Sequence, residues 1–164
     1  MGMRRTPSTA LRTLLRSPPR GAAIVEFALI LPFLILLMVG LFDLGFGAYQ
    51  SMQVHAAAEA GAQYAAIKYP GGSWTQAQIT AIAAAVTGAT GTSGIAATPA
   101  PSQVCGCPDG GIFTLKPSCG TCPSGSSPGV YASVSAQLTY SPVLPYPGLP
   151  DPLTLTGQAY RRIN

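Results

Sequence analysis

Between Ala22 and Phe42 the chain reads AAIVEFALILPFLILLMVGLF, 21 residues of which only Glu26 is ionisable. A helix rises about 1.5 Å per residue, so a run of about 20 apolar residues crosses the hydrocarbon core of a bilayer. A chain of 164 residues with only 9% charged residues and a mean hydropathy of +0.33 is unusual for an ordinary soluble domain. One transmembrane helix is therefore expected over residues 22–45, and the rest of the chain has to be arranged around it.

Charge sets the direction of that helix. Five of the nine basic residues, Arg4, Arg5, Arg12, Arg16 and Arg20, precede Gly21 with no acidic residue among them. Residues 22–164 hold the other four basic residues against five acidic ones, a net charge of −1 within an overall +4. Nucleic-acid binding depends on clustered Lys and Arg, so no nucleic-acid partner is expected. Positive charge beside an apolar span is instead retained on the cytoplasmic side. Residues 1–21 read as a basic leader, and residues 46–164 as an extracytoplasmic α+β domain.

The helical pattern does not stop with the apolar run. It continues through FGAYQSMQVHAAAEAGAQYAAIKY to a stop at Pro70-Gly71-Gly72. Unbroken from Ala22 to about Lys68, such a helix is roughly 70 Å long, far more than one bilayer. The part at 46–68 therefore belongs to the domain outside the membrane. Its small residues, Ala57, Gly61, Ala65 and Ala58, Ala62, Ala66, make faces for close packing, read first as contacts within the domain and second as a seam between helices. Pro32 is expected to bend the span, and Asp43 just beyond it to reach the interface.

A second, short helix is expected over 75–87, capped by Ser73 or Thr75, with Ile79, Ile82 and Val86 at helical spacing. TGATGTSGIAATPAPS then reads as a loop leading into a strand. The final third alternates: in VYASVSAQLTY, Val130, Ala132, Val134, Ala136, Leu138 and Tyr140 share one face. LTLTGQAYRRI and GIFTLK are further strand candidates, and the five prolines of SPVLPYPGLPDP keep that connection out of any ladder. The fold class is thus α+β: a long N-terminal transmembrane helix continuing into a pilin-like domain with a second helix and a small antiparallel sheet, its strands within about 95–162.

Chemistry-bearing residues are few. Cys105, Cys107, Cys119 and Cys122 stand as C-x-C and C-x-x-C. Outside the cytoplasm two disulfides are preferred, with a zinc site on the four thiolates as the minority alternative. Sequence allows three pairings; a nested one, Cys105 with Cys122 and Cys107 with Cys119, suits a hairpin turning near Asp109-Gly110-Gly111. A redox role for Cys119 and Cys122 is disfavoured, because Gly and Ser follow where an activating helix should begin. His55 is the only histidine, and no phosphate loop, metalloprotease helix or catalytic carboxylate pair is present. No enzyme activity, cofactor, resident metal or small-molecule substrate is expected.

Glu26 is the remaining anomaly. A carboxylate in the apolar layer costs a few kcal/mol on insertion scales. A shallow position, or the favourable field at a helix start, explains why it is tolerated. Neither explains the junction RGAAIVEF, in which a glycine ends the basic leader five positions before the glutamate. That junction resembles a prepilin signal, and RGAAIVEFALILPFLILLMVGLFDLG followed by an Ala-rich helix resembles the TadE-like pseudopilin family of the tight-adherence (Flp) pilus system. The closing YASVSAQLTYSPVLPYPGLPDPLTLTGQAYRR is similar to that family's last two strands and Pro-rich turn.

The resemblance implies that a prepilin peptidase cuts after Gly21, that Ala22 becomes the N-terminus, and that Phe27 completes the signal. It also implies that Glu26 helps to bring the subunit into the pilus. Implied partners are the lipid of a bacterial inner membrane, the prepilin peptidase, other pilins or pseudopilins and the assembly platform. A secreted protein with a cleaved signal peptide, a generic membrane-anchored binding domain and an extracytoplasmic thiol enzyme are the alternatives.

Overall fold

The computed structural model describes residues 21–109, 112–116, 119–123, 125–143 and 151–163; all of the expected leader (1–21) except Gly21, and most of the Pro-rich connection, lie outside these. The chain divides into two compact units, the first ending at Phe42 and the second beginning at Asp43.

Helix α1, Ala22–Lys68, is a single element of 47 residues that runs through Pro32. In the first unit residues 23–38 are all exposed, including Phe33 at 73% and Leu37 at 66%. The most apolar 18-residue window of this helix has a mean hydropathy of 2.7, and none of it is buried among the described residues. A helix apolar around its circumference is stable when something other than water surrounds it. This segment is a candidate single-pass membrane anchor.

In the second unit the same helix is amphipathic in a different way, through size. Val54, Ala57, Ala58, Ala62 and Ala65 are buried to within 1% of complete, whereas Met52 and Ile67 point outward. The small-residue faces are thus used for packing within the domain. Beyond Lys68, Gly71 and Gly72 take φ values of +89° and +71°, the left-handed conformations that turn the chain without a side-chain penalty. Helix α2, Gln76–Gly88, then starts at a capping box: the Gln78 amide donates to Thr75 Oγ1 at 3.4 Å, and the Thr75 amide to Gln78 Oε1 at 2.8 Å. It buries Ile82 and Val86.

Four strands follow: β1, Ser102–Asp109; β2, Ile112–Lys116; β3, Gly129–Tyr140; and β4, Leu153–Arg162. They form one antiparallel sheet in the order β2-β1-β3-β4. The alternation expected for β3 is observed, with Ala132, Val134, Ala136 and Leu138 buried. Strand β1 was legible only as what the preceding loop leads into, since its cysteines and glycine supply no apolar alternation.

Close approach holds these layers together. A Cβ placed on Gly157 of β4 would stand 2.9 Å from the backbone of Val54 and His55, so the strand lies directly on helix α1. Across the ladder Gly157 faces Ala136, and Ala159 faces Val134, which keeps the sheet thin beneath the helix. Gly61 of α1 is similarly confined: a Cβ there would run into Val86 of α2 and come to 3.0 Å from Val134 of β3. Substitution Gly157→Ala is expected to destabilise the domain by about 1–3 kcal/mol, because backbone atoms cannot move aside as a side chain can. Gly88→Ala, whose Cβ would meet nothing within 4 Å, is the control and should be neutral or slightly stabilising. Thermal unfolding of the full chain in detergent, followed by circular dichroism, distinguishes the two.

Candidate functional site

The residues expected to carry processing occupy the start of α1. The Val25 amide donates to the Gly21 carbonyl at 3.3 Å, and Ala22 is the first helical residue. Gly21 is exposed, lacks a positive φ, and would accept a Cβ with nothing within 4 Å. The local fold therefore does not require glycine at this position. Glu26, the fifth residue of the helix, is exposed, and Phe27 beside it is 59% exposed. The first turn holds no acidic residue. The field of a helix terminus falls off within its first turn, so it does not account for a carboxylate placed later. Ala22 and Glu26 are four residues apart and lie on one side of the helix.

The cysteines are brought together elsewhere, and their pairing corrects the expectation. Cys105 is bonded to Cys119, with Cα atoms 5.3 Å apart, and Cys107 to Cys122, with Cα atoms 5.7 Å apart. The pairing is interlaced where a nested one was expected. The reason lies beyond β2. Nesting follows if the chain continues along the ladder, and the ladder is indeed present, with Asp109 opposite Ile112 and Cys105 opposite Lys116. Cys119 comes three residues after that last pair and reaches back to Cys105. A turn then reverses the chain, with the Gly125 amide donating to the Cys122 carbonyl at 2.8 Å and the Cys122 amide to the Ser126 carbonyl at 3.1 Å. Cys122, at the start of this turn, is bonded to Cys107; both are buried, while Cys119 is exposed.

The family model described as TadE-like protein matches residues 21–63. Over these 43 of its 164 residues the chain is similar to TadE-like protein. Neither the curated proteins nor the solved structures yield a match. The matched segment joins Gly21 and Glu26 to the buried small-residue face at Val54, Ala57, Ala58 and Ala62, and so spans both units.

Within the TadE-like segment the structure also shows a residue that sequence reasoning misplaced. Asp43, expected to reach toward the interface, is only 5% exposed. The hydroxyl of Tyr140, the last residue of β3, donates to its carboxylate and lies 3.1 Å from its carbonyl oxygen. The Val143 amide donates to the same carboxylate at 3.2 Å. These bonds tie the β3–β4 connection to α1. The available signal was Asp43 as the sole acidic or basic residue between Glu26 and His55, together with a tyrosine ending the alternating strand. His55 itself is exposed, as its position in the helix suggested.

Two outcomes are expected. Denatured without reduction, the protein with Cys105 and Cys119 both replaced by serine should react with no thiol reagent, whereas the protein with Cys105 and Cys122 replaced should expose two reactive thiols, Cys107 and Cys119. Tyr140→Phe keeps the ring and removes the donor to a buried carboxylate, at an expected cost of about 1.5–3 kcal/mol in the same melting assay.

Proposed function

We propose that the chain is a minor pseudopilin of a tight-adherence pilus, processed by a prepilin peptidase after Gly21 and active as a non-enzymatic subunit in pilus assembly, adhesion or secretion. The observation that carries this reading is the TadE-like match, which begins at Gly21 and includes Glu26. Gly21 adds independent support. No steric demand of the described residues calls for a glycine there, so the demand is assigned to the cleft of a peptidase that accepts a small residue at the cut. The N-terminus faces the cytoplasm and the second unit lies beyond the membrane, which agrees with the leading arginines and with disulfides in an oxidising compartment. With their four sulfurs joined in pairs, Cys105, Cys107, Cys119 and Cys122 are read as disulfides in preference to a zinc site.

Removal of the basic leader frees the α-amine of Ala22. Glu26 would then be an exposed carboxylate in an apolar environment, where an opposite charge on a neighbouring subunit lowers the cost of burying it. Pairing between Glu26 and the Ala22 amine of another subunit turns that cost into a preference for one register. The secretory alternative fits the second unit poorly. A signal-peptidase cut near residues 56–61 would sever α1 among Ala57, Ala58 and Ala62, which form the domain core with Val54.

The deciding measurement is the N-terminal residue of the mature protein, isolated from cells that contain the peptidase. Ala22 is expected; Met1 or Gly2 would indicate an unprocessed anchor, and a start at 56–61 a secreted protein. Glu26→Gln should still be processed to Ala22 but should enter pili less efficiently, and wild-type levels of pilus-associated protein in that variant would remove the pairing from the mechanism.

A further inference from the structure

The second unit has an apolar surface that its core does not use. Leu44 is 66% exposed, Phe46 53%, Tyr49 49% and Val143 77%. Phe46 packs beside Tyr49 and Tyr140, with ring centroids 6.4 and 6.1 Å away. Next to them a cleft of about 230 Å³ is lined by Gly47, Pro142, Leu153 and Leu155 and reaches Asp43 and Tyr140. From Leu44 to Val54 the chain holds no Asp, Glu, Lys, Arg or His, and the carboxylate of Asp43, just before this stretch, is turned inward onto Tyr140 and Val143.

We infer that this surface, centred on Phe46 and Val143, is seated in the interfacial layer of the bilayer, with its cleft open to lipid. The inference rests on the reading of residues 22–42 as the membrane span. The occupant follows from covalent continuity, since Asp43 is one residue beyond the apolar run, within a single helix. Residues 43–48 rise about 7.5 Å along α1. This matches the roughly 5–8 Å by which the headgroup region extends past the hydrocarbon on each side. Its composition matches as well, because aromatic rings with apolar neighbours are enriched at that depth. A free carboxylate there would disfavour seating, and the bonds from Tyr140 and Val143 take Asp43 out of contact with the surface.

The chain has one tryptophan, Trp74, which follows the end of α1 and serves as a distant reporter. The test places the full chain in phosphatidylcholine liposomes made with lipids brominated either near the headgroup or deep in the acyl chain. Single-tryptophan chains are compared: the native chain, and Trp74→Phe carrying either Val143→Trp or Leu31→Trp. Tryptophan at 143 should emit to the blue and lose most of its emission to shallow bromine, tryptophan at 31 should be quenched by deep bromine, and Trp74 should be quenched by neither. Deep quenching at 31 without quenching at 143 would overturn the inference and leave the membrane span standing. Absence of quenching at 31 would overturn both. Quenching of Trp74 as strong as that at 143 would remove the surface selectivity on which the inference depends. Blue emission at 143 that bromine does not quench and that reddens on diluting the protein in lipid would assign the surface to a second copy of the chain, also overturning it. Tyr140→Phe tests the role of Asp43 separately: shallow quenching at 143 should fall.

Discussion

The domain depends on the contact between the second half of α1 and the sheet, where two chains of backbone come close enough that only small residues fit. Gly157 lies against the backbone of Val54 and His55, and Gly61 against Val86 and Val134. With Ala57, Ala58, Ala62 and Ala65 filling the helix face, this core gains little area per residue from large side chains. It compensates by proximity: dispersion attraction falls steeply with distance, and a narrow gap between layers recovers much of what bulk would supply. A consequence is intolerance, since any added Cβ at the two glycines has to displace a neighbour.

The same helix therefore meets two environments, and its residues change accordingly at Asp43. Before it, Leu, Ile and Phe surround the helix and are exposed; after it, the buried face is a stripe of mostly small residues, Val54, Ala57, Ala58, Ala62 and Ala65. Asp43 sits at that change with its carboxylate satisfied by Tyr140 and Val143. β3 runs from Gly129, opposite Gly106 of β1, to Tyr140 at the helix, and β1 is itself cross-linked through Cys105 and Cys107 to the segment that follows β2. A core this rich in alanine benefits from such restraints, because cross-links lower the entropy of the unfolded chain.

Functionally, the arrangement separates roles along the chain. The Gly21 to Phe27 segment lies at the beginning of α1, and neither Gly21 nor Glu26 is engaged in holding the described fold together. Residues freed from structural duty can be specified by a partner, which is what a processing and assembly signal requires. The TadE-like match extends from this segment into the packed face, so the family resemblance includes the helix surface on which the domain is built.

Local chemistry made much of this legible in sequence. The apolar run, the stop at Pro70-Gly71-Gly72, the cap at Thr75, and the alternation of β3 and β4 depend on residues near one another in the chain, and each was observed within a residue or two. The TadE-like resemblance beginning at Gly21 was readable for the same reason, being carried by a contiguous stretch. Three features were decided only by tertiary structure. The cysteine pairing turned on where the chain goes after Lys116, the burial of Asp43 on a tyrosine 97 positions away, and the need for Gly157 on the approach of a helix. Spacing and periodicity describe what a segment can become; which distant group arrives beside it is set by how the layers pack, and that information is spread over the whole chain.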